Sequence, residues 1–294
     1  LKEEEMINND TRLLGLMGNP LGHSFSSFMH NRAYELENLN YIYINMETEN
    51  KNIGDILKGI KHLKFDGFNV TIPYKIDIMD YLDEIDPLAE KIGSVNTVKI
   101  EDGRFKGYNT DGEGFVISLA EECNFDCRGK KVLILGSGGA SRAVTMTIAD
   151  KNPERIYITN RTLQKAMDLC DETNHKFKKI CFPVDGVNLD GIIKDCDLLI
   201  NTTSVGMHPK VDDCPIDPKL LHKGLTVCDI VYNPEKTMLL MEAEKLGCSI
   251  MNGLGMLVNQ GAKAFEIWTG KKAPLELMRE SLKILIDSRN EEQV

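Results

Sequence analysis

Apolar positions along this 294-residue chain alternate between short strand-like runs and longer stretches of helical period, and they do so in two successive series. In the first, residues 13–17, 41–46 and 68–72 are apolar or alternating, while 25–36 and 53–63 carry apolar residues three and four apart. That is a β-α-β-α-β rhythm. A further strand over 95–100 turns at Glu101, Asp102 and Gly103 into 104–108, because Asp-Gly supplies the positive φ of a tight hairpin. After a helix over 112–122 a second series begins: KVLIL, RIYIT, KICFPV, DLLINT, LTVCDI and CSIMN. Six strands with helices between them predict a doubly wound parallel sheet. The end of the chain, 255–268 and 275–286, is helical with no strand after it. Its pattern leaves open whether these helices cover the second sheet or return to the first.

Length and composition fit this outline of an α/β protein with two domains. A chain of this size corresponds to about two domains, and 42% hydrophobic residues are enough for each to bury its own core. A net charge of −10 argues against nucleic acid or an anionic membrane as partner, since both attract basic faces. An anionic ligand must then be held by local groups. The eight cysteines run from Cys123 to Cys248 without a CxxC pair, and no His stands at a spacing that completes a tetrahedral zinc site. No metal is expected, and the thiols read as free ones of a reducing compartment. The opening LKEEEMINND lacks the apolar core of a secretory signal. No apolar run reaches the ~18 residues of a membrane span, so a cytoplasmic protein is expected.

Chemistry first shows in residues 131–161. The strand 131–135 runs into Gly136, Ser137, Gly138, Gly139, Ala140 and Ser141, and then into a helix to about 150. Gly136 permits the tight turn, Gly138 lets a pyrophosphate approach the backbone, and the free N–H groups of the helix start face the phosphates. Ser141 stands where the GxGxxG pattern has its third glycine. The next strand ends in Asn160, Arg161 and Thr162, where an NAD-selective site places Asp or Glu on the ribose 2′-hydroxyl. No carboxylate is present there. Arg161, with Lys165 one turn on, can offer donors to a 2′-phosphate, which favours NADP(H) over NAD; a solvated basic residue on a loop is the alternative. The segment therefore points to a dehydrogenase.

Four features at the front of the chain exceed what folding alone requires. Ser24 and Ser26, in Asn19-Pro20-Leu21-Gly22-His23-Ser24-Phe25-Ser26, place two hydroxyls just before a helix, where an anion is favoured; a plain N-cap is the alternative. Thr71 and Lys75, in Asn69-Val70-Thr71-Ile72-Pro73-Tyr74-Lys75, flank what reads as a strand-to-helix junction, with Pro73 in the first helical turn. Such junctions lie at the carboxyl end of the sheet, where open α/β sheets bind ligands, although a single surface Lys is by itself unremarkable. Asn96 in SVNT and Asp111 in YNTDG add an amide and a carboxylate at element ends, positions that turn chemistry alone can also explain.

Together these motifs resemble the shikimate dehydrogenases: GNPxxHSxS, NVTxPxK, VNT, NTDG, GxGGAxxA, NRT, DxxYNPxxT at 229–237 and NGLGMLVxQ at 252–260. They follow in order over nearly the whole chain. The resemblance implies reversible reduction of 3-dehydroshikimate to shikimate by NADPH, on the way to chorismate and the aromatic amino acids. It implies a substrate domain of 1–110 plus 253–294, the terminal helices included, and a Rossmann NADP domain of 111–252. Ser24 and Ser26 would hold the substrate carboxylate with Tyr232, and Thr71, Asn96 and Gln260 the ring hydroxyls. Lys75 and Asp111 would be the catalytic pair, and Gly253 would lie at the nicotinamide through its backbone. Ser27 departs from the Pro of many members, and Lys165 from the Arg of some, which exchanges a planar fork for a point charge. The partner is then a small molecule, the assembly a monomer or homodimer.

Reducing a ketone needs a hydride at carbon and a proton at the developing alkoxide. Lys75 is the expected acid, a role worth ~10²- to 10⁴-fold. The reverse direction needs the neutral amine, so Lys75 and Asp111 are read as one coupled unit. Two rivals are an NAD-dependent quinate or shikimate dehydrogenase and, on the same fold, a noncatalytic NADPH-binding protein. Asn160, Arg161 and Thr162 count against the first, and the presence of both Lys75 and Asp111 against the second.

Overall fold

The structure is a computed structural model that describes residues 7–22, 24–49 and 52–291. The acidic opening residues and His23 of the serine motif lie outside the described residues. The chain divides into two compact units, Leu1–Thr110 with Gly261–Val294, and Asp111–Gln260.

The first unit begins β1 (Arg12–Gly18), α1 (Ser26–Leu36), β2 (Tyr41–Glu47), α2 (Ile53–His62) and β3 (Gly67–Val70). It continues with β4 (Glu84–Ile85), α3 (Pro87–Ile92), β5 (Thr97–Glu101) and β6 (Arg104–Tyr108). These strands form one sheet in the order β2-β1-β3-β5-β6-β4. β1 is an interior strand parallel to both neighbours, which is why its residues read as a continuous apolar run: Leu14 and Met17 are fully buried. β5 and β6 form the expected hairpin, with Asp102 and Gly103 both at positive φ. The pair β4 and α3 is new. A two-residue strand is too short to carry a period, and α3 is marked only by its cap, where Asp86 accepts from Leu88 N at 2.9 Å ahead of Pro87.

One junction differs from its sequence reading. Pro73 does not open an α-helix; residues 72–76 form turns, with a cis Ile72–Pro73 bond, and only a 3₁₀ segment, Asp77–Tyr81, follows. The carbonyls are engaged elsewhere. Lys75 O accepts Val95 N at 2.8 Å, and Thr71 O accepts Tyr74 N at 3.0 Å, so no α-helical ladder forms.

The second unit opens with α4 (Asp111–Cys123), β7 (Lys131–Leu135), α5 (Gly139–Asp150), β8 (Arg155–Thr159), α6 (Leu163–Lys176) and β9 (Cys181–Pro183). Then come α7 (Leu189–Ile193), β10 (Leu198–Asn201), β11 (Thr226–Asp229), α8 (Met238–Lys245) and β12 (Ser249–Met251). The sheet order β12-β11-β10-β7-β8-β9 is parallel throughout, a doubly wound arrangement with its switch point between β7 and β10. Both faces are covered, and Leu133, Leu199 and Val227 are fully buried.

The last helices are α9 (Gly253–Thr269) and α10 (Leu275–Glu291). The boundary between the units falls inside α9, after Gln260. The question the periodicity left open is answered for the residues beyond it: α10 packs on α1, and Trp268 Nε1 donates to Val98 O of β5 at 2.9 Å. The indole lies where a side chain at Gly67 would be, 2.4 Å from its Cβ position. Among the described residues no helix is long and apolar enough to cross a membrane, and all eight cysteines are free.

Candidate active site

The carboxyl ends of β1 and β3 launch two segments side by side. Thr71 N donates to Met17 O at 2.9 Å and Asn19 N to Ile72 O at 3.0 Å. A Cβ at Gly18 would come within 2.3 Å of Thr71 Cγ2, so glycine lets the threonine seat against the end of β1. The serine loop is fixed through Leu21 N, which donates to Glu47 Oε2 at 3.0 Å. Ser24 Oγ accepts Ser26 N at 3.3 Å, yet the N-cap of α1 is Phe25, without a side-chain cap bond. The plain-cap reading of Ser24 and Ser26 therefore does not describe this loop.

Beneath it lies a buried polar chain. Tyr43 donates to Asn69 Oδ1 at 2.7 Å. Asn69 Nδ2 donates to Thr97 Oγ1 at 2.9 Å and to Asn96 O at 3.1 Å. Asn96 Nδ2 donates to Thr110 Oγ1 at 2.9 Å, and its Oδ1 accepts Thr110 N at 2.8 Å and Thr97 Oγ1 at 3.0 Å. Asn96 is thus a strut as well as a candidate ligand group: any bond to substrate is added to this set. Burial raises the Tyr43 phenol well above its ordinary value, with the nearby Ser26 acting weakly the other way. His30 stacks on Tyr43 with centroids 4.6 Å apart, and burial brings its pKa down to about 3.

Ser24, Ser26, Thr71, Lys75 and Asn96 are accordingly gathered at one end of the first sheet. Tyr43, Asn69, Thr97 and Thr110, which build the floor, carried no role from sequence. Tyr43 sits in an alternating strand where a buried tyrosine reads as core, whereas Asn69, Thr97 and Thr110 were visible inside the quoted motifs as polar residues at strand ends.

The remaining candidates belong to the second unit. Asp111 is the buried first residue of α4. Gln260 Nε2 donates to Leu257 O at 2.9 Å on its own helix. Tyr232 is half-buried in the loop after β11. Gly253 N donates to Val231 O at 3.0 Å, and a Cβ at Gly253 would fall 1.9 Å from Ile230 O, so close backbone packing excludes any side chain there.

The turn after β7 has the form a pyrophosphate requires. Gly136 has φ +106°, its N–H donates to Thr159 O at 2.8 Å, and a Cβ would approach Thr202 Oγ1 to 2.8 Å. Ser141 Oγ donates to Gly136 O at 2.7 Å, so the residue in the third glycine's place fastens the turn. Above Gly138 and Gly139 the space is open, with nothing within 4 Å of either Cβ position. No side chain caps the start of α5, and no acidic residue stands in its first turn. Ser137 Oγ is buried without a hydrogen-bond partner among the described residues. Uncapped N–H groups, open space and an orphaned hydroxyl at a helix start fit a phosphate-bearing ligand. At the end of β8, Asn160 Nδ2 donates to Thr162 O at 3.0 Å and shapes the turn that leaves Arg161 and Lys165 exposed. Arg142 pairs instead with Glu172 of α6.

Known proteins resemble this chain over nearly its whole length. Residues 16–98 match the family described as shikimate dehydrogenase substrate binding domain, 118–212 the family shikimate/quinate 5-dehydrogenase, and 253–283 the shikimate 5′-dehydrogenase C-terminal domain. The shikimate dehydrogenase (NADP⁺) of Methanococcus aeolicus is 44% identical over 94% of this chain and 99% of its own. A crystal structure of a shikimate dehydrogenase in complex with NADP⁺ superposes with a TM-score of 0.90 at 43% identity, covering 96% of this chain and 98% of that one. The Listeria monocytogenes enzyme in complex with shikimate and NAD gives a TM-score of 0.90 at 38% identity, covering 95% and 98%. The residues gathered at the first sheet, the open glycine turn of the second and these full-length likenesses lead to one conclusion: the chain belongs to the shikimate dehydrogenase family.

Proposed function

We propose that this chain is an NADP-dependent shikimate dehydrogenase, catalysing the reversible reduction of 3-dehydroshikimate to shikimate on the route to chorismate and the aromatic amino acids. The observation that carries this reading is the set Ser24, Ser26, Thr71, Lys75 and Asn96 at one sheet end, in a chain 44% identical to a shikimate dehydrogenase over nearly its full length. In this reading residues 1–110 and 253–294 make the substrate domain, and 111–252 bind NADP(H). The enzyme acts in the cytoplasm as a monomer or homodimer, on a small-molecule substrate.

Ser24 and Ser26, with Tyr232, donate to the substrate carboxylate; Thr71, Asn96 and Gln260 hold ring hydroxyls. Gly136, Ser137, Gly138, Gly139 and Ala140 offer backbone donors to the pyrophosphate. Asn160, Arg161, Thr162 and Lys165 surround the 2′-phosphate, and Gly253 meets the nicotinamide through its main chain. Bound there, NADPH supplies the hydride and NADP⁺ accepts it in reverse. As the carbonyl π bond breaks, its electron pair moves to oxygen. Lys75 Nζ, as an ammonium, stabilises that charge and gives up a proton to form the alcohol. Asp111 serves beside Lys75 in the handling of this proton. In the oxidising direction the neutral amine takes the hydroxyl proton back.

Measuring kcat/KM for shikimate and quinate, each with NADP⁺ and NAD⁺, from absorbance at 340 nm tests the reading. The expected result is the highest value for shikimate with NADP⁺. A preference for NAD⁺ overturns the role of Arg161, and cofactor binding without any shikimate-dependent change at 340 nm overturns the activity.

A further inference from the structure

Asn201 and Asp229, the last residues of β10 and β11, are paired in register and fully buried. Asn201 Nδ2 donates to Asp229 Oδ1 at 3.0 Å, the same oxygen accepts Val231 N at 3.0 Å, and Asp229 Oδ2 accepts Thr237 Oγ1 at 2.8 Å. Asn201 in turn accepts Thr203 N at 3.0 Å and Thr203 Oγ1 at 2.7 Å, and donates to Val205 O at 3.2 Å. One buried carboxylate therefore holds the segment 230–237 near both ends, and its amide partner holds the loop that follows β10. Between the two held points lies Tyr232. The outer side of the segment is pinned as well: Val231 O accepts Gly253 N at 3.0 Å, Asn233 O accepts His208 N at 3.2 Å, and Glu235 O accepts Asn252 Nδ2 at 3.0 Å.

A carboxylate is an expensive group to bury, and an apolar residue would serve a merely packed loop better. What the site needs is acceptors only: an amide N–H, a backbone N–H and a hydroxyl converge on two oxygens, which a carboxylate can satisfy without a competing proton. Thr237 is also the N-cap of α8, accepting Leu240 N at 3.4 Å, so the same hydroxyl joins the segment's end to the helix that follows.

We infer that Asp229, braced by Asn201, is the positioning residue for Tyr232, fixing the 230–237 segment so that the phenol is presented to the substrate carboxylate. This rests on the shikimate dehydrogenase reading. Asp229 touches no substrate and acts only through the loop.

The test is a double-mutant cycle in the full-length protein. Tyr232→Phe is expected to raise the KM for shikimate about tenfold, and Asp229→Ala to raise it by a similar factor while the KM for NADP⁺ changes less than about twofold. Asp229→Ala in the Tyr232→Phe background should add less than about twofold, because the group it positions is already gone. Asp229→Asn keeps one acceptor oxygen and should raise the KM less than Asp229→Ala does. Thr237→Val, which removes a single donor, is the second probe should Asp229→Ala not yield folded protein; it should raise the KM for shikimate about threefold in the wild-type background and not in Tyr232→Phe. Independent, multiplying effects of Asp229 or Thr237 and Tyr232 overturn the inference, as does an equal rise in KM for both substrates. Wild-type protein inactive on shikimate overturns the functional reading itself. Wild-type activity with multiplying effects overturns the inference alone.

Discussion

The end of the first sheet and the turn after β7 are built by opposite means. At the first, side chains do the work: Tyr43, Asn69, Thr97, Asn96 and Thr110 satisfy one another in a buried chain, and the candidate ligand groups stand on that floor. At the second, side chains are kept away: Gly136, Gly138 and Gly139 clear the approach, α5 starts uncapped, and Ser137 Oγ has no partner among the described residues. The contrast teaches that a ring bearing hydroxyls at fixed positions calls for pre-set side-chain geometry. A diphosphate calls for main-chain donors and room. Substitutions at the first sheet should therefore act on one substrate and on chemistry, those around the glycine turn on the coenzyme.

The largest effect should come from Lys75. Lys75→Ala is expected to lower kcat by about 10²- to 10⁴-fold with a much smaller change in KM. A surviving kcat with a raised KM would move Lys75 from proton donor to binding group. The next effect probes the dry floor. Burial depresses the His30 pKa from 6.5 to about 3, so the folded state takes up its proton at lower pH than the unfolded chain. Stability contributed by neutral His30 is complete above about pH 6.5 and is lost as pH falls toward 3, by about 2 kcal/mol at pH 5. Denaturant unfolding at pH 7.5 and pH 5 should show this drop in wild type and its reduction in His30→Phe; equal drops in both would mean that water reaches the ring. Ser24→Ala should weaken shikimate binding about tenfold, the loss of one charge-assisted hydrogen bond, without altering the KM for NADP⁺. Smallest is Arg161→Ala, at an exposed site, which should raise the KM for NADP⁺ about fivefold, leave that for NAD⁺ unchanged, and lose its effect at high salt. An equal change with both coenzymes would show Arg161 shaping the turn instead of reading the phosphate.

Much of this organisation was legible in the residues. The six parallel strands were, because a strand covered on both faces leaves a run such as KVLIL that admits few other readings. Gly136 and the absent carboxylate after β8 were legible too, since each states a local requirement of backbone or charge. The turn at Pro73 was not: its carbonyls are claimed by Val95 and Tyr74, a tertiary fact that no local pattern carries. Tyr43 and Asp229 stayed hidden for a related reason. Their importance lies in hydrogen bonds to residues 8 to 28 positions away, such as Asn69, Asn201 and Thr237. Gly253 was assigned from a motif to the nicotinamide, and the structure adds a steric reason for glycine in the carbonyl of Ile230.

The first unit is made from both ends of the chain, with the second inserted whole between them. During synthesis, then, the second unit can close while its own segment leaves the ribosome. The first must wait on the order of ten seconds for residues 261–294. Until then the helical cover over Gly67 and Val98 is missing. Trp268 is the sole tryptophan and lies in that cover, so its emission reports on the docking of the cover.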